Sequence, residues 1–191
     1  NLEVPQGDAA MVAVALEPGY EISALSIYYD LPEGGRTYLQ DGSGDVWNST
    51  LNPAVLDETL FAFTMPFADV TVDITYAKID YNIDTLTSNA ASTAPENQGH
   101  VTASANGSTS TDIADITATV GDTVSLLVAP EYGYSLKTLT VKDEADKTVT
   151  INTLDADNYE FTMPASDVVV TATFVKDQYT VIFRDYNNVM L

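Results

Sequence analysis

The feature that most constrains this chain is that it repeats itself. FTMPFADVTVDITY (residues 63–76) returns as FTMPASDVVVTATF (residues 161–174) 98 residues later, with eight of fourteen positions identical and no gap. Upstream, GDAAMVAVALEPGYEISALSI (residues 7–27) returns as GDTVSLLVAPEYGYSLKTLTV (residues 121–141) 114 residues later, with eight of twenty-one identical. Two collinear ungapped blocks define a tandem repeat, and the fold must be one that each copy can build. The offsets differ by 16, which places a 16-residue insertion in the first copy, within residues 28–62. The longer match continues, since Tyr81-Asn82-Ile83 aligns with Tyr179-Thr180-Val181. The expected organisation is a first module over residues 1–80, a second over 81–178 and the start of a truncated third over 179–191. The first lacks a counterpart of residues 81–114, so the chain is expected to be a window on a longer array.

The pattern inside the repeat is that of strands. Val168, Val170, Ala172 and Phe174 alternate with Val169, Thr171 and Thr173, and Val70, Val72, Ile74 and Tyr76 keep the same register in the first copy. Period-2 alternation of β-branched and aromatic residues specifies a strand with one buried face. Val124, Leu126 and Val128 repeat the pattern, as do Val12 and Val14. Further strands are expected at residues 81–83, 100–104, 136–141, 148–151 and 159–163. Residues 84–114, rich in Ser, Thr, Asn and Ala, are expected to be long loops flanking one short strand. Gly19 and Gly133 stand between strand blocks, where a turn calls for positive φ. Pro66 and Pro164 are placed to end a Phe-Thr-Met strand. Only residues 53–60 suggest a helical turn. The fold class is therefore all-β, two tandem small β-sandwich or β-barrel-like modules, the first N-terminally incomplete and carrying the insertion.

Charge and residue types narrow the function. With 28 acidic and 7 basic side chains the net charge is −21, which argues against a nucleic-acid partner and against anionic membrane surfaces. No apolar run approaches the roughly 20 residues of a membrane span. The absence of cysteine removes thiolate zinc sites, disulfide frameworks and cysteine nucleophiles. A Ser-His-Asp triad would need His100, the only histidine, and no Gly-x-Ser-x-Gly elbow surrounds any serine. No carboxylate pair recurs between the copies in the manner a glycosidase would require. The chain is thus not expected to be an enzyme.

Two features of the insertion are candidates for binding. Asp41, Ser43 and Asp45, in DGSGD, space oxygen ligands at alternate positions as calcium loops do, although Asn52 stands where a twelfth-position glutamate would close such a loop. The competing reading is a polar turn. Tyr28, Tyr38 and Trp47, with Arg36, form an aromatic group whose faces could stack on sugar rings. Its competing reading is a hairpin covering the core. Asp143, Glu144 and Asp146 are read as a solvated hairpin tip.

The blocks GDTVSLLVAPEYGYSLKTLTV and YEFTMPASDVVVTATF resemble the divergent internalin B-type repeat of bacterial surface proteins. The ending YTVIFRDYNNVML is similar to the opening of the related Listeria–Bacteroides repeat, with Asn187 and Asn188 where that family usually has a hairpin glycine. The resemblance implies a tandem β-rich module of a secreted or cell-wall-attached bacterial protein, extracellular, serving as a stalk or as a host- or matrix-binding module. It carries no catalytic residues with it. The alternative is a carbohydrate-binding accessory module of a secreted enzyme. The implied partners are a host glycan or protein. A monomer is expected, with head-to-tail strand exchange open between the cut ends.

Overall fold

The computed structural model describes residues 3–89, 98–109, 116–184, 186–188 and 190. Its described elements are fifteen strands and one 3-10 turn, so the all-β reading holds. The chain divides into two compact units, residues 1–79 and 80–191.

In unit 1 the order is β1 (Ala9–Ala13), β2 (Tyr20–Asp30), β3 (Arg36–Tyr38), a 3-10 turn (Pro53–Asp57), β4 (Leu60–Thr64) and β5 (Thr71–Lys78). β1 pairs with β4, and β3, β2 and β5 form a three-stranded sheet, all antiparallel. Unit 2 continues with β6 (Asp80–Asn89), β7 (Gly99–Ala105), β8 (Ser108–Thr109), β9 (Ile116–Thr119), β10 (Thr123–Pro130) and β11 (Tyr134–Asp143). It ends with β12 (Thr148–Val149), β13 (Ile151–Thr153), β14 (Asn158–Thr162) and β15 (Val168–Lys176). Its two five-stranded sheets run β13-β14-β10-β7-β8 and β12-β11-β15-β6-β9. They close over one core containing Val124, Leu126, Val128, Phe161, Val170 and Phe174. The β15 face anticipated from the alternation is fully buried: Val168, Val170, Ala172 and Phe174 are each at most 1% exposed.

The repeat is copied down to single hydrogen bonds. Gly7 N–H donates to Met65 O and Met65 N–H to Asp8 O, and Gly121, Met163 and Asp122 make the same exchange. Gly19 (φ +85°) and Gly133 (φ +81°) take the left-handed conformation expected of them, and their carbonyls accept from Ile79 N–H and Asp177 N–H. Even the irregularity recurs, because the β2–β5 register slips between Ile22 and Ala24, and the β11–β15 register between Leu136 and Thr138. A bulge held at equivalent positions is part of the fold's design.

One expectation needs correction. Residues 84–89 are not loop but the second half of β6, which lies parallel to β15 from Ile83↔Val168 to Asn89↔Phe174. Their polar Asp-Thr-Leu-Thr-Ser-Asn run hid the strand because backbone pairing with β15, not side-chain hydrophobicity, holds it there. β8 (Ser108–Thr109) adds a second short strand to the one expected there, and the loop reading for residues 90–97 and 110–114 falls outside the described residues.

β7 packs closely enough on β15 to require glycine at its start. A Cβ at Gly99 (φ +148°) would lie 2.7 Å from Phe174 Cε1 and 2.9 Å from Ala129 O. Gly99→Ala is therefore expected to destabilise unit 2 by about 1–3 kcal/mol. Chemical denaturation should show the unit 2 transition moved to lower denaturant, with the unit 1 transition unchanged.

Candidate functional site in the insertion

The insertion begins as a short hairpin. Tyr28↔Tyr38 and Asp30↔Arg36 are cross-strand partners of β2 and β3, so the period of two puts all four side chains on one face. The Tyr28 and Tyr38 rings meet edge to face with centroids 6.1 Å apart. The Arg36 guanidinium carbon lies 3.5 Å from the Tyr28 ring centroid, and Arg36 Nε bonds Asp30 Oδ1 at 3.3 Å. Tyr28 donates its hydroxyl to Asp73 Oδ2 on β5 at 2.9 Å. That bond to a carboxylate favours the neutral phenol and raises the Tyr28 pKa above its ordinary value of 10.0.

Beyond the hairpin the chain folds inward. Trp47 is 6% exposed, packs edge to face on Phe61 at 5.2 Å and donates its indole N–H to Ala62 O. Leu39, Trp47 and Val55 from the insertion join Ile22, Leu25, Ile27, Phe61 and Phe63 in the unit 1 core. Main-chain bonds fix this: Leu39 N–H donates to Ile27 O, Ile27 N–H to Trp47 O and Ser49 N–H to Leu25 O.

Comparison of the two units shows what the insertion does. In unit 2, Leu136 and Leu139 stand at the positions of Ile22 and Leu25 and are only partly buried. With Ile151, Thr153 and Tyr159 they line an open groove of about 320 Å³. In unit 1, Ile22 and Leu25 are 3% and 2% exposed, with residues 47–49 laid against β2. The insertion is a plug for the groove that its sister module leaves open.

The calcium-like loop is closed by its own backbone. Asp41 Oδ1 accepts from Ser43 N–H and Asp45 N–H, each at 2.8 Å, and Asp41 N–H donates to Asp45 O at 2.9 Å. Among the described residues no group of three or more His, Asp or Glu could hold a metal ion. Of the three aromatics singled out, Tyr28 and Trp47 are 6% exposed and Tyr38 is half-buried, so their faces are largely turned to protein. Asp143 does sit at a hairpin tip, its carboxylate accepting from Lys147 N–H.

Sequence reasoning did not single out Asp73 or the pair Asp69 and Asp167. Asp167 Oδ1 accepts from Asn82 N–H at 2.8 Å and Oδ2 from the Asn82 amide at 3.3 Å, which ties the start of β6 to the start of β15. The signal was present: this aspartate is one of the eight identities of the FTMP block.

Two outcomes follow. Trp47→Ala should cost unit 1 about 3–5 kcal/mol by cavity formation, read as loss of its thermal transition. Because the Tyr28 pKa is raised on folding, its stabilisation is complete below pH 10.0 and is lost as pH rises through the folded value. The stability of the wild type should therefore fall toward that of Tyr28→Phe in alkaline solution, with one phenol missing from the late part of the variant's titration.

Residues 89–178 match the family model of the divergent InlB B-repeat domain, the family whose repeat the sequence blocks resemble. No curated protein and no solved structure matches the chain.

Proposed function

We propose that this chain, whose residues 89–178 form a divergent InlB B-repeat domain, is a load-bearing spacer of an extracellular bacterial surface protein with no catalytic duty. The observation that carries the reading is the pairing of the first and last strands of unit 2. β6 and β15 are adjacent and parallel, so the chain enters at one end of the pair and leaves at the other. Tension along the chain then loads the hydrogen bonds between them in shear. All must yield together, whereas a pair pulled apart from one end opens bond by bond. A module built this way suits a stalk. In unit 1 the first and last strands lie in different sheets, and every described pair is antiparallel.

The surface chemistry supports the same reading. Extra aromatics brought by the insertion go largely into core and hairpin packing, and the net charge of −21 keeps neighbouring stalks soluble and apart.

Single-molecule stretching of the chain tests this. Two unfolding events are expected, with unit 2 yielding at the higher force and releasing on the order of 300 Å of chain at roughly 3.3–3.6 Å per residue. Asp167→Ala should lower the unit 2 force by removing the Asn82 latch. Equal forces for the two units would defeat the load-bearing reading. Retention of the chain on an insoluble polysaccharide, abolished by Tyr38→Ala, would instead favour a carbohydrate-binding module.

A further inference from the structure

The groove of unit 2 has an occupied counterpart in unit 1. Three of its lining residues, Leu136, Leu139 and Tyr159, are the repeat counterparts of Ile22, Leu25 and Phe61. Those three are at most 3% exposed in unit 1, where residues 47–49 are laid against β2. Trp47 lies edge to face on Phe61 at 5.2 Å. Ser49 closes the strand edge, its N–H donating to Leu25 O at 2.9 Å and its Oγ accepting from Leu25 N–H at 3.1 Å. The bridge Ser26↔Asn48 between them is antiparallel. The sister module thus shows what this fold takes in at that place: an extended antiparallel segment with a large aromatic side chain.

Unit 2 presents the same groups, and among the described residues nothing is laid against them. Leu25 and Leu139 stand at one step of the repeat, opposite Ile74 and Ala172, so the amide and carbonyl of Leu139 turn to the edge that residues 47–49 take in unit 1. β12 pairs with β11 only at Val141 and Lys142 and stops short of Leu139. β13 lies on β14, in the other sheet. The groove of about 320 Å³ runs between them, with Leu136, Leu139, Ile151 and Tyr159 half-buried along it. That volume falls at the lower end of the roughly 300–1,000 Å³ of ligand sites. Lys137 is the one charged side chain on its lining, in a chain with 7 basic residues against 28 acidic. The strands that border it, β11, β13 and β14, lie in the interior of unit 2.

We propose that the groove between β11 and β13 binds an extended peptide segment of a partner protein, added antiparallel to β11 at Leu139, with an aromatic anchor between the sheets and a carboxylate at Lys137. Backbone pairing with the amide and carbonyl of Leu139 supplies attachment, and the groove reads the anchor. Cross-strand partners share a face, so the residue opposite Leu139 directs its side chain over Leu139 and toward Tyr159. Tyr159 then offers an aromatic edge or face, as Phe61 does to Trp47. Antiparallel order carries the residue two positions further on to Lys137, where a carboxylate is favoured and a basic side chain repelled. The preferred sequence is aromatic, any residue, acidic. The register lies one pair further along than in unit 1, where Ile27 N–H donates to Trp47 O, because β12 already holds Val141, the counterpart of Ile27.

The test is an NMR titration of the full chain, to millimolar concentration, with an end-blocked hexapeptide, Thr-Val-Trp-Thr-Glu-Thr. Saturable shifts are expected at the amides of residues 136–140, 151–153 and 159, with those of unit 1 unmoved. Replacing the peptide's Trp by Ala should weaken binding at least tenfold, as loss of a central aromatic anchor does. Lys137→Glu, at an exposed side chain, should weaken binding about threefold, and a peptide with Lys in place of Glu should prefer that variant to the wild type. Thr153→Trp should fill the groove with the protein's own indole and abolish the shifts while unit 2 keeps its thermal transition. No saturable shift at the groove, shifts that survive Thr153→Trp, or binding indifferent to the peptide's Trp would each overturn the proposal. So would shifts at these amides with an oligosaccharide and none with the peptide. None of these outcomes depends on the force at which either unit unfolds.

Discussion

The parallel contact between β6 and β15 is the interaction on which unit 2 depends. It brings the beginning of the module to its end, and so it can form only after everything between has been laid down. Such a long-range pairing contributes little until its loop-closure cost has been met, and it needs a device to set its register. Asp167 is that device. Its carboxylate accepts both the backbone and the side-chain N–H of Asn82, one step before the first paired residues, Ile83 and Val168. With the register set there, Ile83 and Thr85 point inward and the β15 face is closed. A slip of one residue would turn those side chains out and Asp84 in.

The same sequence code gives two differently completed structures because completion is not local. Both copies build the Gly-Tyr turn, the bulge and the paired Met carbonyls and amides, since each of these needs only residues within the repeated blocks. They differ where a side of the sandwich must be closed by something else. On the β2 side of unit 1 the insertion closes it with Trp47, at 6% exposure against Phe61. The equivalent β11 side of unit 2 retains its groove. On the other side the units differ again: β15 is joined by β6, while among the described residues β5 pairs with β2 alone.

How much of this was legible in the sequence follows from the same distinction. The strands with apolar alternation and the Gly19 and Gly133 turns could be read from residue spacing, because local sterics and one-sided burial decide them. The outer half of β6 could not, because its Thr, Ser and Asn residues are held by pairing with a strand some 85 positions away, as in the Val168↔Ile83 pair. The insertion aromatics were recognised as a group, yet composition does not say on which side of a chain an indole will lie. Trp47 goes inward because its N–H finds Ala62 O and Phe61 offers a ring edge, both brought by β4. Asp41 was recognised as a good oxygen ligand, and the property that suggested it, a carboxylate poised over a glycine-rich turn, equally suits it to accept the Ser43 and Asp45 amides.

An open sheet edge beside half-buried valines is ordinarily an aggregation hazard, and the acidic residues along β5 bear on how this one is managed. Asp69 stands just before that strand and Asp73 within it, and with Thr71 and Thr75 they make its outward row polar. An incoming strand of this strongly acidic protein would bring further carboxylates beside them, with repulsion that a pair of extended backbones at close range would feel. Asp73 already accepts the Tyr28 hydroxyl at 2.9 Å, so it stays charged in that row and repels further anions. With 28 acidic and 7 basic side chains, a second molecule of the same kind brings mostly like charge to that row. The charge that keeps such modules apart in solution thus also limits which strand the open edge can accept.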